Sequence, residues 1–214
     1  ILEIGTGWGY AAITLAKQFG CQVTSITLSK EQFDYATTRV KNENLSDKIS
    51  IQLIDYRDLT GQFDGIISIE MIEAVGHEYL GTYFKQLNRL LKPGGRVAIQ
   101  AITYPDKGYD TYRKSSDFIR KHIFPGGHLP SLKKLQQCLS DYTSFKEVHR
   151  LNIAESYAKT LDAWKTSFIH QKDTIRSLGF DDVFYRKWIY YFAYCKAAFK
   201  THYLGCYQLI YQKD

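Results

Sequence analysis

Apolar and polar positions along the first hundred residues alternate between two periods. Ile1-Leu2-Glu3-Ile4 is a short apolar run of the kind a buried strand shows. Gly5-Thr6-Gly7-Trp8-Gly9 follows, and Ala11, Ile13, Leu15, Ala16 and Phe19 then fall at helical spacing. The pattern predicts strands over Cys21–Thr27, Lys48–Ile54, Phe63–Ile69 and Arg96–Ile102, and helices over Ser29–Asn44 and Glu78–Leu91. Pro93-Gly94-Gly95 stops the second of these helices. Strands alternating with helices imply a mostly parallel sheet covered on both faces. After Thr103 the rhythm breaks into turn residues, a short helix near Tyr112–His122, and Phe124-Pro125-Gly126-Gly127-His128-Leu129-Pro130. An insertion there stands above the carboxyl edge of the sheet, where a lid or substrate pocket belongs. Ser144–Asn152 reads as a strand, Ser156–Ser177 and Asp182–Lys200 as long helices, and Tyr203–Tyr211 as a closing strand. Tyr157, Leu161, Trp164 and Phe168 share one helix face, which the pattern turns inward.

The glycine turn is the first candidate site. Its spacing is G-x-G-x-G, and Tyr10 stands where a dinucleotide fingerprint needs glycine. That favours S-adenosylmethionine (SAM) over NAD or FAD. Ligands of doubly wound sheets lie outside the carboxyl ends of the strands, so three further segments join the turn. After the second strand come Thr27-Leu28-Ser29-Lys30-Glu31-Gln32. Gln32 could hold ribose hydroxyls, or only complete a capping box with Ser29. After the third come Asp55-Tyr56-Arg57, where Tyr56 could stack on adenine or be a plain loop residue. After the fourth come Glu70-Met71-Ile72-Glu73, near Gln100-Ala101-Ile102. A carboxylate at this place could remove a proton or orient a base. Glu73 is also the kind of acid that helix starts favour. A buried Tyr157 would need a partner for its hydroxyl, which makes a polar site plausible beside it.

Composition changes the picture in three places. Aromatic residues reach 15%, with 17 Tyr, 12 Phe and 3 Trp, enough to line a large pocket or simply to fill an aromatic core. The net charge is +6, and residues 107–134 hold seven Lys or Arg against two Asp, a local +5. Such a stretch suits anionic lipid, nucleic acid or an acidic substrate, or is only a solvated face. The four cysteines form no C-x-x-C pair, which reads as a reducing, cytoplasmic setting, and the six histidines lack zinc spacing, so no metal is expected. No stretch has the length of a membrane span, and Met71 is the only methionine, so the chain reads as one part of a longer product.

Together these residues resemble the cyclopropane-fatty-acyl-phospholipid synthase family, including the mycolic acid cyclopropane synthases. The resemblance runs along essentially the whole chain. It is carried by Ile4–Gly9, Thr27–Gln32, Asp55–Leu59, Glu73–Gly76, Leu91–Gly95 and Tyr157–Trp164, and most specifically by Ser115–Arg120 running on to Ile123–Pro130. It implies a Rossmann-like class I SAM methyltransferase: an α/β fold with a seven-stranded, mostly parallel sheet and a helical insertion after the fifth strand. The expected organisation is one domain over 1–214, its N-terminal segment missing, with a substrate-binding insertion at about 103–143. The implied reaction adds a methylene to the cis double bond of a phospholipid acyl chain. A carbocation forms, and a bound bicarbonate removes the proton. The implied bicarbonate ligands are Glu73, the Ile102 backbone and Tyr157, with Gln100 where the family has His. The family's Cys would lie upstream of this chain. The implied cofactor contacts are Gly5, Thr6, Gly7, Thr27, Leu28, Ser29, Gln32, Tyr56, Arg57 and Ile69. The implied setting is cytoplasmic, peripheral to the inner face of a membrane, without nucleic acid, and compatible with a homodimer. Two alternatives stay open: methylation of another lipid or a small amine, and a lipid-binding relative that has lost catalysis.

Overall fold

The computed structural model describes residues 1–214. Seven strands form one sheet in the order β3-β2-β1-β4-β5-β7-β6. They are β1 (Leu2–Ile4), β2 (Val23–Thr27), β3 (Ile49–Leu53), β4 (Phe63–Ile69), β5 (Leu91–Thr103), β6 (Phe145–Asn152) and β7 (Gly205–Lys213). The first five pair in parallel, and β7 runs antiparallel to both β5 and β6. The sheet is mostly parallel, as its alternating pattern implies. The chain winds outward from β1 to β3 and then returns to β4 on the other side of β1. The strand order therefore reverses between β1 and β4, the place where such sheets open a ligand crevice.

The helices are α1 (Tyr10–Phe19), α2 (Lys30–Asn42), α3 (Leu80–Leu90), α4 (Tyr109–Tyr112), α5 (Phe118–His122), α6 (Leu132–Tyr142), α7 (Ala154–His170), α8 (Lys172–Ser177) and α9 (Asp182–Lys200). In α3, Leu80, Tyr83, Phe84, Leu87 and Leu90 form one fully buried stripe. Each such side chain contributes about 1.5–3 kcal/mol by leaving water. This stripe, Leu135 and Leu139 of α6, and residues of β1, β4, β5 and β7 make the largest core cluster. A second cluster joins α1 and α2 to Val23 and Ile49. A third joins Ala154, Ala158 and Leu161 of α7 to Phe192 and Phe199 of α9 and Cys206 of β7.

Four local expectations change. Residues 132–142 form a helix that the turn-rich reading of the insertion does not anticipate; the Ser131 side chain caps it by accepting from the Lys134 amide at 3.2 Å. The single helix expected near Tyr112–His122 is two short ones. The long helix expected to Ser177 breaks at Gln171. Strand β5 begins at Leu91, which pairs with Phe63 before a register shift. A fifth change concerns α7. Leu161 is fully buried, but the Trp164 indole is 47% exposed. Trp164 sits edge-on to Tyr157 at 6.1 Å between ring centres, and its outer side has no covering element. Sharing a face with Leu161 does not bury a ring that overhangs the edge of that face.

Candidate active site

At the end of β1 the chain turns back over β2. The amides of Gly5 and Thr6 both donate to the Ile26 carbonyl at 3.0 Å. Gly5 adopts φ +98°, and a Cβ there would lie 3.0 Å from Met71 Cγ, so glycine is required on both counts. Gly7, at φ +52°, has open space where a Cβ would stand. The turn thus leaves a bare backbone cradle at the start of α1, beside the β1/β4 crevice. Beneath it, Glu3, Ser25 and Thr6 form a buried chain: Ser25 Oγ lies 2.5 Å from Glu3 Oε2 and 2.7 Å from Thr6 Oγ1. Ser25 has one proton, so as donor to Glu3 it accepts from Thr6. Burial pushes the Glu3 carboxyl up to about 7, against the opposing hydrogen bond from Ser25.

The segment after β2 is tied to itself. Ser29 caps α2 by accepting from the Gln32 amide at 3.2 Å. The Gln32 side chain does not complete the capping box. It accepts instead from Thr27 Oγ1 at 2.8 Å, while Thr27 Oγ1 accepts from the Ser29 amide. Leu28 is 70% exposed, and Ile69 at the end of β4 is also exposed. Tyr56 packs edge-on against the buried Tyr83 at 5.4 Å. Arg57 forms a two-pronged pair with Asp55, at 3.0 and 2.6 Å. Gly5 and Thr6 are thus tied to β2 through the Ile26 carbonyl, while Thr27, Ser29 and Gln32 form their own hydrogen-bonded corner just after it, and Leu28 and Ile69 are exposed at the ends of β2 and β4. Tyr56 and Arg57 occupy the loop after β3, partly committed to Tyr83 and Asp55.

On the other side of the crevice lies a partly open pocket of about 620 Å³, 16 of its 24 lining residues hydrophobic. The insertion, α9 and the ends of β4 and β5 build its walls. The volume is that of an ordinary small-molecule or chain-binding cavity. Tyr104, Tyr157, Tyr191, Tyr194, Tyr203 and Phe199 supply aromatic surface. Tyr109 bolts the insertion down: its hydroxyl lies 2.8 Å from both His77 Nδ1 and His128 Nε2. Burial pushes His128 down to about 4, so it stays neutral at physiological pH.

Two carboxylates stand where the pocket meets the crevice. Glu73 Oε1 accepts from the Ile102 amide at 2.6 Å. Its Oε2 is sealed from solvent with no hydrogen-bond partner. Burial is the main cause that pushes Glu73 up to about 7, and the nearby Glu70 adds to it. Glu70 has φ +50°, a left-handed conformation unusual for a glutamate. The Tyr157 hydroxyl donates to Glu70 Oε2 at 2.6 Å, and the Gln100 amide donates to Oε1 at 2.7 Å. Gln208, opposite Gln100 across β5 and β7, donates to its Oε1 at 3.0 Å and orients that amide. Burial and the Glu70 charge both push the Tyr157 hydroxyl far up, so it remains a donor.

The structure therefore brings Glu73, Ile102, Tyr157 and Gln100 into one cluster, from the segment after β4, from β5 and from α7. It adds Glu70 as the residue that joins Tyr157 to Gln100. Sequence position alone places Glu70 near the site. Its role as hub depends on contacts from α7 and β5, which no local pattern shows.

The mycolic acid cyclopropane synthetase family model matches residues 1–209. A tuberculostearic acid methyltransferase of Mycobacterium tuberculosis is 43% identical over 208 residues, covering 97% of this chain and 48% of that protein. The cyclopropane-fatty-acyl-phospholipid synthase of Escherichia coli is 32% identical over 213 residues, covering 100% of this chain and 53% of that protein. The crystal structure of the mycolic acid cyclopropane synthase CmaA1 with SAH and CTAB superposes with a TM-score of 0.91 at 28% identity, over 99% of this chain and 77% of that one. The chain spans about half the length of these two curated relatives. With the glycine cradle, the β1/β4 crevice and the carboxylate-floored pocket already in place, this match along the whole chain shows that it belongs to the mycolic acid cyclopropane synthetase family of SAM-dependent methyltransferases.

Proposed function

We propose that this chain carries the catalytic machinery for SAM-dependent alkylation of a cis double bond in a phospholipid acyl chain, with a cyclopropane as product. The observation that carries this reading is the apolar, aromatic pocket with two carboxylates where it meets the cofactor crevice. The bare backbone at Gly7 and the small polar corner from Thr27 to Gln32 fit SAM. Bound there, SAM supplies an electrophilic methyl group. The chain's residues do the rest. The pocket wraps the acyl chain and excludes water, which would quench a cation. Its tyrosine and phenylalanine faces favour positive charge developing on the alkene carbons. The carboxylates beside Tyr157 and Ile102 stabilise that charge and provide a destination for the proton.

The bicarbonate implied by family resemblance does not fit this arrangement. The Tyr157 hydroxyl and the Gln100 amide already serve Glu70, and the Ile102 amide already serves Glu73. Glu73 Oε2 and the Tyr83 hydroxyl lack partners, but both are sealed from solvent and offer a bound anion no reachable donor.

A peripheral membrane setting suits the pocket's substrate. No helix is long and apolar enough to cross a membrane. Lys107, Lys114, Lys121 and Lys133 are exposed and suit anionic headgroups. Arg113 and Arg120 are partly spent inside the insertion, on Asp110 and on the Tyr112 carbonyl.

A second reading keeps the methyl transfer but gives a methyl-branched chain. The 43%-identical relative, named for tuberculostearic acid, favours it. Full-length protein, SAM and vesicles of unsaturated phospholipid separate the two by mass spectrometry of the acyl chains, which counts the added methylene, with proton NMR, which resolves ring protons from alkene protons. Gain of one methylene with loss of the double bond supports the cyclopropane. Gain of one methylene with unsaturation retained supports the branched chain. Turnover of a soluble amine with none on vesicles overturns both.

A further inference from the structure

We propose that Glu70 is the residue that accepts the proton, its carboxylate standing in place of an exogenous anion. This inference rests on the alkylation reading above. Three observations converge on Glu70. Both glutamates line the pocket, but Glu73 Oε2 is sealed from solvent. Both its oxygens are held in a fixed direction by donors from separate elements, Tyr157 of α7 and Gln100 of β5. Its backbone sits at φ +50°, a conformation that costs a non-glycine residue about 1 kcal/mol or more and that glycine would adopt freely. A strained glutamate with two oriented donors and an apolar pocket in front of it is arranged for chemistry rather than for stability.

The electron balance is complete without another reactant. The alkene π pair forms the new C–C bond to the methyl carbon, and the C–S pair returns to sulfur, leaving a cation on the second alkene carbon. A carboxylate oxygen has two lone pairs, so each Glu70 oxygen keeps one after accepting its hydrogen bond. That free pair takes a proton from the new methyl group, and the released C–H pair closes the ring. If hydride migration precedes proton loss, the same pair forms a carbon–carbon double bond instead, giving an unsaturated branched chain. Glu70 then passes its proton to solvent as product leaves. Glu73 assists by position. Its own carboxyl, raised to about 7 chiefly by burial, titrates in the neutral pH range.

The test uses full-length protein in carbon-dioxide-free buffer, with Glu70→Gly and Glu70→Gln. Glycine relieves the backbone and frees the Tyr157 hydroxyl and the Gln100 amide to hold a small anion. Glutamine fills the same space but accepts no proton. Wild-type turnover should be unchanged on adding bicarbonate. Both variants should lose about 10²-fold or more, with SAM affinity by calorimetry within about twofold. Added bicarbonate or formate should restore turnover to Glu70→Gly at least tenfold and leave Glu70→Gln unchanged. ¹³C-bicarbonate line broadening should show anion binding to Glu70→Gly and none to wild type. Bicarbonate-dependent wild-type turnover, bicarbonate binding to wild type, or a Glu70→Gln variant at full rate overturns the proposal. A wild-type protein without lipid turnover, beside a Glu70→Gly variant that binds the anion, overturns the substrate reading and leaves Glu70 in the anion's place.

Discussion

The two sides of the β1/β4 crevice are built in different ways. On the cofactor side, small polar groups are joined by short hydrogen bonds, and the apolar residues around them face outward. Tyr10 and Leu28 are each 70% exposed there. On the pocket side, the polar groups are few and half-buried among aromatic rings, and the cavity is walled by the insertion and α9. The cofactor side has the backbone shape that many nucleotide-binding sheets share. The pocket side has chemistry found only where its particular segments meet. Recognition of the cofactor and choice of reaction therefore rest on separable sets of residues, and substitutions should split along that line.

Beyond Glu70 itself, the largest effect is expected from Glu73→Gln. The change removes the sealed carboxylate's ability to titrate and puts an amide donor where Oε2 has no partner. Turnover on lipid should fall about 10²-fold, within the range for acid–base groups. SAM affinity by calorimetry should stay within about twofold, because Glu73 belongs to the pocket side. A matching loss of SAM affinity would show that the two sides are one unit.

The reciprocal break is Gly5→Ala. A side chain at φ +98° is strained and meets Met71 Cγ at 3.0 Å. SAM affinity should fall about tenfold or more, following a backbone cost of about 1–3 kcal/mol. Binding of an unreactive acyl chain to the pocket, followed by fluorescence, should change little. Met71 lies between Glu70 and Glu73, so a pocket defect in this variant would mark Met71 as the mechanical link between the sides.

A milder test fills the pocket. Ala198 of α9 lines it, and Ala198→Phe should raise the lipid KM about tenfold while SAM affinity holds. An unchanged KM would place the acyl chain elsewhere.

The same division explains what the sequence made legible. The five parallel strands, the glycine turn and the Ser29 cap follow from local patterns, because each depends on neighbours in the chain. Helix α6 was also open to local reading, through Ser131 and the spacing of Leu132, Leu135 and Leu139, but the surrounding glycines and prolines drew attention to turns. The hub at Glu70 was not legible in that way. Its partners Gln100 and Tyr157 come from β5 and α7, and its left-handed backbone is set by packing. Trp164 shows the opposite failure, where a correct helical face did not bury the ring.

The effect furthest from turnover comes from below the cofactor turn and is read in stability. Glu3 is 3% exposed, and its folded-state pKa is raised from 4.5 to about 7, chiefly by burial. An acid with a raised folded pKa holds its proton more tightly when folded. Its contribution is fully present below about pH 4.5 and is lost as pH rises toward 7, because the unfolded chain ionises first. Glu73 shares this direction and window. Glu3→Gln keeps an acceptor for Ser25 but cannot ionise. It should therefore stabilise the protein by on the order of 2 kcal/mol at pH 8, with the gain shrinking to nothing near pH 4. Urea unfolding at both pH values measures this. A gain that is equal at both pH values would mean that Glu3 is not the titrating group. A loss at pH 8 would mean that the ionised carboxylate supports the Ser25–Thr6 chain, and hence the glycine turn above it, more than its burial costs.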